Sequence, residues 1–323
     1  MSQSLAVGDP VARPAAAHER VAARDPRRAL QLALGALWLL DGMLQFQPSM
    51  FGHGFAQMLA GSAQGNPAVV ARPITWSAGL IGHHVVALNA IFAAIQLLLG
   101  LGIAWRPAVK VALAGSVAWS LAVWWLGEGL GGVLAGTASP VDGAPGAVLL
   151  YGLLAVLLWP ADRRSADRGP ADRRPADRGP TAPFTAARAV GRRVAQASWL
   201  VVWLSLATLA LLPAGRTIAD TTPGEPAWLA WTDAHVATAL TRHGLLAAVV
   251  LAVVFVVVAS GTFLPRRAAR AAIVLAVAVA VALWLAQGLG GILTGSATDP
   301  DTGPLLALLA LAFWPLASSA GET

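Results

Sequence analysis

The 323-residue chain contains no cysteine, which excludes disulfides, thiolate metal sites and thiol redox chemistry by its own side chains. Charge is also scarce: Asp, Glu, Lys and Arg make up 12% of the residues, against roughly 25% in soluble domains. No segment alternates strictly between apolar and polar residues, which argues against a membrane barrel. The net charge of +6 does not form a basic patch for nucleic acid, because the arginines sit in short segments between apolar runs. What the chain has instead is apolar side chains, 57% of the total, and a mean hydropathy of +0.65.

Eight apolar segments are predicted: Ala29–Gln47, Val85–Trp105, Val109–Leu126, Ala147–Trp159, Ala195–Leu212, Leu245–Leu264, Ala268–Leu285 and Leu305–Leu316. Most are apolar on every face, so in lipid the backbone must satisfy itself as helix. The expected fold class is all-α, a polytopic integral membrane protein with eight transmembrane helices. The first segment ends in Leu44-Gln-Phe-Gln-Pro48 with no small-residue cleavage site, as a retained anchor would. With the N-terminus in the cytoplasm, nineteen of the Lys and Arg residues fall on that side and only Arg72, Arg216 and Arg242 fall outside. Both termini are therefore expected in the cytoplasm, with the chain in the plasma membrane; abundant Ala, Leu, Val, Gly and Arg suit a high-GC bacterial source.

Residues Gly65 to Pro145 align without a gap on Gly224 to Pro304, at an offset of 159. Trp125-Leu-Gly-Glu-Gly-Leu-Gly-Gly132 lies over Trp284-Leu-Ala-Gln-Gly-Leu-Gly-Gly291, and Pro67, His84 and Pro145 lie over Pro226, His243 and Pro304. Two modules of four helices each, 29–160 and 195–316, are expected as parallel repeats. A cytoplasmic tail (1–28), an Arg/Asp/Pro tether (161–194) and a short C-terminal tail (317–323) complete the chain, and the tails and tether carry too little apolar area to fold alone.

The internal comparison shows which polar residues one copy keeps. Superposing Trp38 on Trp203 puts Asp41 over Leu206 and Gln45 over Ala210; at the 159 offset Asn89 lies over Ala248, Gln96 over Phe255 and Glu128 over Gln287. A polar group costly in lipid and present in one copy only is hard to explain by the shared fold. Asp41 lies about 9 Å below the outer end of its helix at 1.5 Å per residue, at a depth similar to Asn89. Asp41, Gln45, Asn89, Gln96, Glu128 and His84 are therefore the candidate ligand-binding or proton-relay residues, around a pocket opening to the extracytoplasmic side. Each has a plainer role available: Asp41 as a clasp between helices, the glutamines as interfacial amides, His84 as a helix-start residue kept in both copies. His53 and His83 are weak metal candidates, since adjacent His83 and His84 point about 100° apart and His53 matches no ligand spacing. Short helices after the Gly-rich stretches Gly127–Gly136 and Gly288–Gly295 suggest a re-entrant loop, or else a plain outer turn.

The layout of Leu34-Gly-Ala-Leu-Trp-Leu-Leu-Asp-Gly42, a long loop ending in Asn66-Pro67, and Ile95-Gln-Leu-Leu-Leu-Gly-Leu-Gly102 before a basic turn resembles the DoxX/DoxD group of small four-helix bacterial membrane proteins. The resemblance spans roughly 29–160, and more faintly 195–316. It implies a membrane redox subunit with quinone as a ligand. The residues themselves lead to an accessory or small-ligand-binding membrane protein, the ligand being a quinone, metal ion or lipid. A quinone-linked oxidoreductase subunit, and a transporter with two rocking halves, are the alternatives; the expected partners are the bilayer, a small molecule and another membrane protein.

Overall fold

Asp25 caps the first helix by accepting from the backbone N–H of Arg27, and Pro26 occupies the first turn, where its missing N–H costs nothing. The computed structural model describes residues 25–160, 183–213, 226–295 and 297–316. Over these the chain is all-helical, with one isolated antiparallel bridge between Phe184 and Pro315. The tail up to residue 24, the tether from 161 to 182 and the tail after 316 lie outside the described residues.

The helices are α1 (Pro26–Leu44), α2 (His53–Gly61), α3 (Ala68–His83), α4 (Val85–Ala104), α5 (Val109–Leu126) and α6 (Ala147–Leu157) in the N-terminal half. The C-terminal half holds α7 (Ala187–Val190), α8 (Arg192–Leu211), α9 (Ala227–Ser260), α10 (Arg266–Ala286) and α11 (Thr302–Ala312). Among the described residues five stretches are long and apolar enough to cross a membrane: α4, α5, α8, Thr241–Phe263 within and just beyond α9, and α10. Helices α6 and α11 are apolar but only 11 residues long.

Small residues let α1 and α4 approach closely. A Cβ on Gly100 would stand 2.7 Å from the Gly35 carbonyl, so the crossing depends on a missing side chain, as membrane helix pairs often do. Arg28 reaches across from α1 and donates to the last carbonyls of α4, at 2.8 Å for Ile103, where a cation also suits the helix dipole. Trp38 sends its indole N–H to Ser116 Oγ at 2.9 Å and so ties α1 to α5.

The two halves share local geometry at positions 159 apart. His84 (φ −132°, ψ 36°) breaks the path from α3 to α4, and His243 (φ −128°, ψ 25°) breaks α9. Leu130 and Gly131 take left-handed angles, as do Leu289 and Gly290. Helix α11 packs on both α6 and α1, joining the halves. Gln47 donates to the Ala297 carbonyl at 3.0 Å and Gln287 to the Pro140 carbonyl at 3.1 Å, so the halves are also tied at the loop end.

Two regions depart from expectation. The stretch between α1 and α4, expected as a long outer loop, contains α2 and α3. The tether is expected to run to 194 without structure, but from Pro183 it is packed. Phe184 is buried against Phe313, Ala186 donates to the Ala312 carbonyl, and Leu316 donates to the Pro183 carbonyl. Its last residues, Phe184, Ala186 and Ala187, are apolar enough to enter the core. Of the tryptophans near the helix ends, Trp105 and Trp125 are exposed, whereas Trp124 and Trp159 pack against the core.

Candidate functional site

The ends of α1, α5 and α6 opposite the Arg28 cluster enclose a cavity of about 210 Å³. Helix α1 contributes Trp38, Asp41 and Gln45, which share a face by their three- and four-residue spacing. Helix α4 contributes Phe92 and Gln96, and α5 contributes Trp119 and Val123. Helices α2 and α3 close one side with Phe55, Leu59, Ser77 and Ile81.

Asp41 is only 2% exposed, and the Tyr151 hydroxyl on α6 donates to its Oδ1 at 2.8 Å. The Tyr151 ring lies 4.1 Å from that of Trp38, centroid to centroid, so the tyrosine is held by stacking as well as by the carboxylate. A second aromatic group lines the same space, with Phe92 5.5 Å from Trp119 and 6.4 Å from Phe55. The pocket is thus an aromatic chamber with one carboxylate at its base.

Glu128 stands at the mouth. Its Oε1 accepts from the Val148 backbone N–H at 3.2 Å, and its Oε2 is buried without a protein donor. Gly146 makes that placement feasible: φ is +113°, and a Cβ there would fall 2.0 Å from Glu128 Oε2. Trp124 braces the same turn by donating to the Pro145 carbonyl at 2.7 Å.

Beyond Glu128 a second cavity, of about 480 Å³, is lined by Asp142, Asp299 and Asp301 together with Glu128. Glu128 and Asp299 line both spaces. Burial, with the neighbouring Asp299 charge second, holds Glu128 well above the usual carboxylate range. Burial also raises Asp299, and burial together with the Asp299 charge pushes Asp301 up to about 7. Asp301 sits at φ +64°, a costly conformation for an aspartate, and its side chain accepts from the Thr302 N–H at the start of α11.

The structure therefore brings Asp41, Gln45, Gln96 and Glu128 together around one space. It does not bring the other candidates there. Asn89 is fully buried outside the cavity wall and donates to the Gln45 backbone carbonyl at 2.8 Å, which fixes the end of α1. His84 is the exposed residue at the break between α3 and α4, and His83 and His53 are exposed as well. Among the described residues no group of three or more His, Asp or Glu side chains is placed to hold a metal ion.

Sequence reasoning missed Tyr151, Trp119, Thr298 and Asp299. The last two come from the C-terminal half, in which the sequence comparison places no candidate. Tyr151 carried the same signal as the residues found: at the 159 offset it lies over Ala310, as Gln96 lies over Phe255. At the place that matches Gln96 by this offset, Phe255 is fully buried, with its ring 5.9 Å from that of Trp203. No family model, curated protein or solved structure matches this chain.

Proposed function

We propose that the chain is a membrane-embedded protein that binds a small molecule in the outer half of its N-terminal module, as an accessory or ligand-binding subunit and not as an enzyme on its own. The observation that carries this reading is the Asp41–Tyr151 pair in the wall of an aromatic chamber, with a fully buried Phe255 at the place in the C-terminal half that matches Gln96. Buried polar groups are nearly always partnered. Here Gln45 Oε1, Gln96 Oε1, Trp119 Nε1 and Glu128 Oε2 are all buried, without a protein partner, on residues that line one cavity. A bound molecule would supply those partners. The volume lies below the roughly 300–1,000 Å³ of drug-sized sites, which suits a small molecule or a head group.

In this proposal the eight apolar segments cross the plasma membrane as two parallel four-helix repeats, with both termini in the cytoplasm. The matching backbone angles at His84 and His243, and at Leu130 and Leu289, support the duplication. The Arg-bearing helix ends lie opposite the chamber, which supports an extracytoplasmic opening.

A quinone-linked role like that of the DoxX/DoxD group is favoured by one observation. The unpartnered Trp119 indole N–H is a donor of the kind a quinone carbonyl accepts. Mass spectrometry of the purified full-length chain, wild type against Asp41→Leu, tests the main reading. A small molecule retained by the wild type and absent from a folded variant is expected. Identical spectra with no small molecule in either would end it.

A further inference from the structure

The titratable groups that line the two adjoining spaces are all acidic. Asp41 lies at the base of the inner chamber, Glu128 and Asp299 at the junction, and Asp142 and Asp301 in the outer space. Among the described residues no Lys, Arg or His lines either one. Carboxylates removed from water are tolerated when a countercharge meets them, and the described residues furnish none at Asp41, where the side chain accepts from a neutral phenol.

The chamber walls suit one kind of countercharge. Trp38 with Tyr151, and Trp119 with Phe92 and Phe55, line the space with two groups of aromatic rings. Ring faces attract cations, and aromatic cages with a carboxylate recognise alkylammonium groups. Gln45 and Gln96, each more than nine-tenths buried, add unpartnered acceptor oxygens and no positive charge. A bare divalent metal ion does not fit such walls, which offer too few hard oxygens and too much ring surface.

Resting on the ligand-binding reading above, we infer that the site takes a small organic monocation, a protonated amine or quaternary ammonium group, which enters past Glu128 and Asp299 and lodges between the aromatic walls beside Asp41. The acidic outer space attracts the cation and repels anions, so a free cation is favoured over the same group carried on a phosphate.

Calorimetric titration of the full-length chain in neutral-lipid nanodiscs tests this. Choline and propylammonium are the cationic probes, 3,3-dimethylbutan-1-ol is the uncharged isostere of choline, and phosphocholine stands for a lipid head group. At least one cation should bind at least about tenfold more tightly than the isostere, a difference of about 1.4 kcal/mol. Asp41→Asn should abolish that preference, and Asp299→Asn, whose amide oxygen can still accept from the Asp301 backbone N–H, should weaken it. Phosphocholine binding as well as choline would move the source to lipid head groups while keeping the ammonium chemistry. Equal binding of the isostere, or failure of both cations, overturns the inference. Retention of a neutral molecule by the wild-type chain would in that event leave the ligand-binding reading standing, whereas an empty chain would remove both.

Discussion

Tyr151 donates to Asp41 across 2.8 Å at the contact of α6 with α1, and the two residues are 110 positions apart in the chain. A hydrogen bond closed over that separation holds the carboxylate in one position. Removing the hydroxyl while keeping the ring isolates its contribution. Tyr151→Phe keeps the stacking on Trp38 and strands Asp41 Oδ1, so a stability loss of about 1–3 kcal/mol is expected. Thermal unfolding in a fixed detergent measures it; an unchanged midpoint would mean that water replaces the phenol.

Asp41→Leu copies the residue at the matching place in the C-terminal half, Leu206, which is 1% exposed. The variant should express and elute as the wild type does by size exclusion, and should lose ligand binding. Aggregation of this variant together with normal behaviour of Asp41→Asn would identify the aspartate as a structural clasp.

Gln96→Phe copies Phe255 and should fill the chamber from α4. The expected result is an equal or higher melting temperature with ligand binding lost, because the substitution replaces an unpartnered amide oxygen by packed ring surface. A lower melting temperature would show that the space is too small for the ring.

Gly146→Ala places a methyl group on Glu128 Oε2 at a backbone angle hostile to alanine, so destabilisation of at least about 1 kcal/mol is expected. Gly79→Ala, in α3 with open space around it, should be neutral or stabilising by about 0.5–1 kcal/mol. Similar melting temperatures for the two variants would contradict the placement of Glu128.

The acidic outer cavity sets a pH dependence. In the unfolded chain carboxyls titrate near about 4, whereas Asp301 titrates at about 7 in the fold and Glu128 and Asp299 are raised as well. Between those values the folded state binds more protons than the unfolded one, so its stability falls as pH rises from about 4 towards 7. Binding of a cation should follow the opposite trend, strengthening as Asp301, Asp299 and Glu128 ionise. Melting temperature against pH, with and without choline, reads both slopes; Asp301→Asn should flatten the first.

The helices of greatest apolar length were legible in the sequence because lipid leaves the backbone little else to do. The four polar residues that meet in the chamber were legible for a different reason: an apolar residue at the same place in the other half marked Asp41, Gln45 and Gln96 as dispensable to the fold, and an amide marked Glu128. Helices α2 and α3 were not read, although Val70, Ile74, Ala78 and Ile81 recur at helical spacing and all four are buried. Arg72 and Pro73 interrupt that stripe and make the stretch resemble a loop. Asp299 was beyond reach, because the offset sets it over Pro140, and only the folded chain shows the loop of one half leaning over the opening of the other.

That loop has a consequence for how the chain can vary. With Asp299 at the entrance and Ala297 fastened to Gln47, the C-terminal half forms part of the doorway to its neighbour's chamber. Drift in that copy is therefore constrained at its rim as well as in its packed core, and trimming the chain to its first half would leave the chamber without one of its walls.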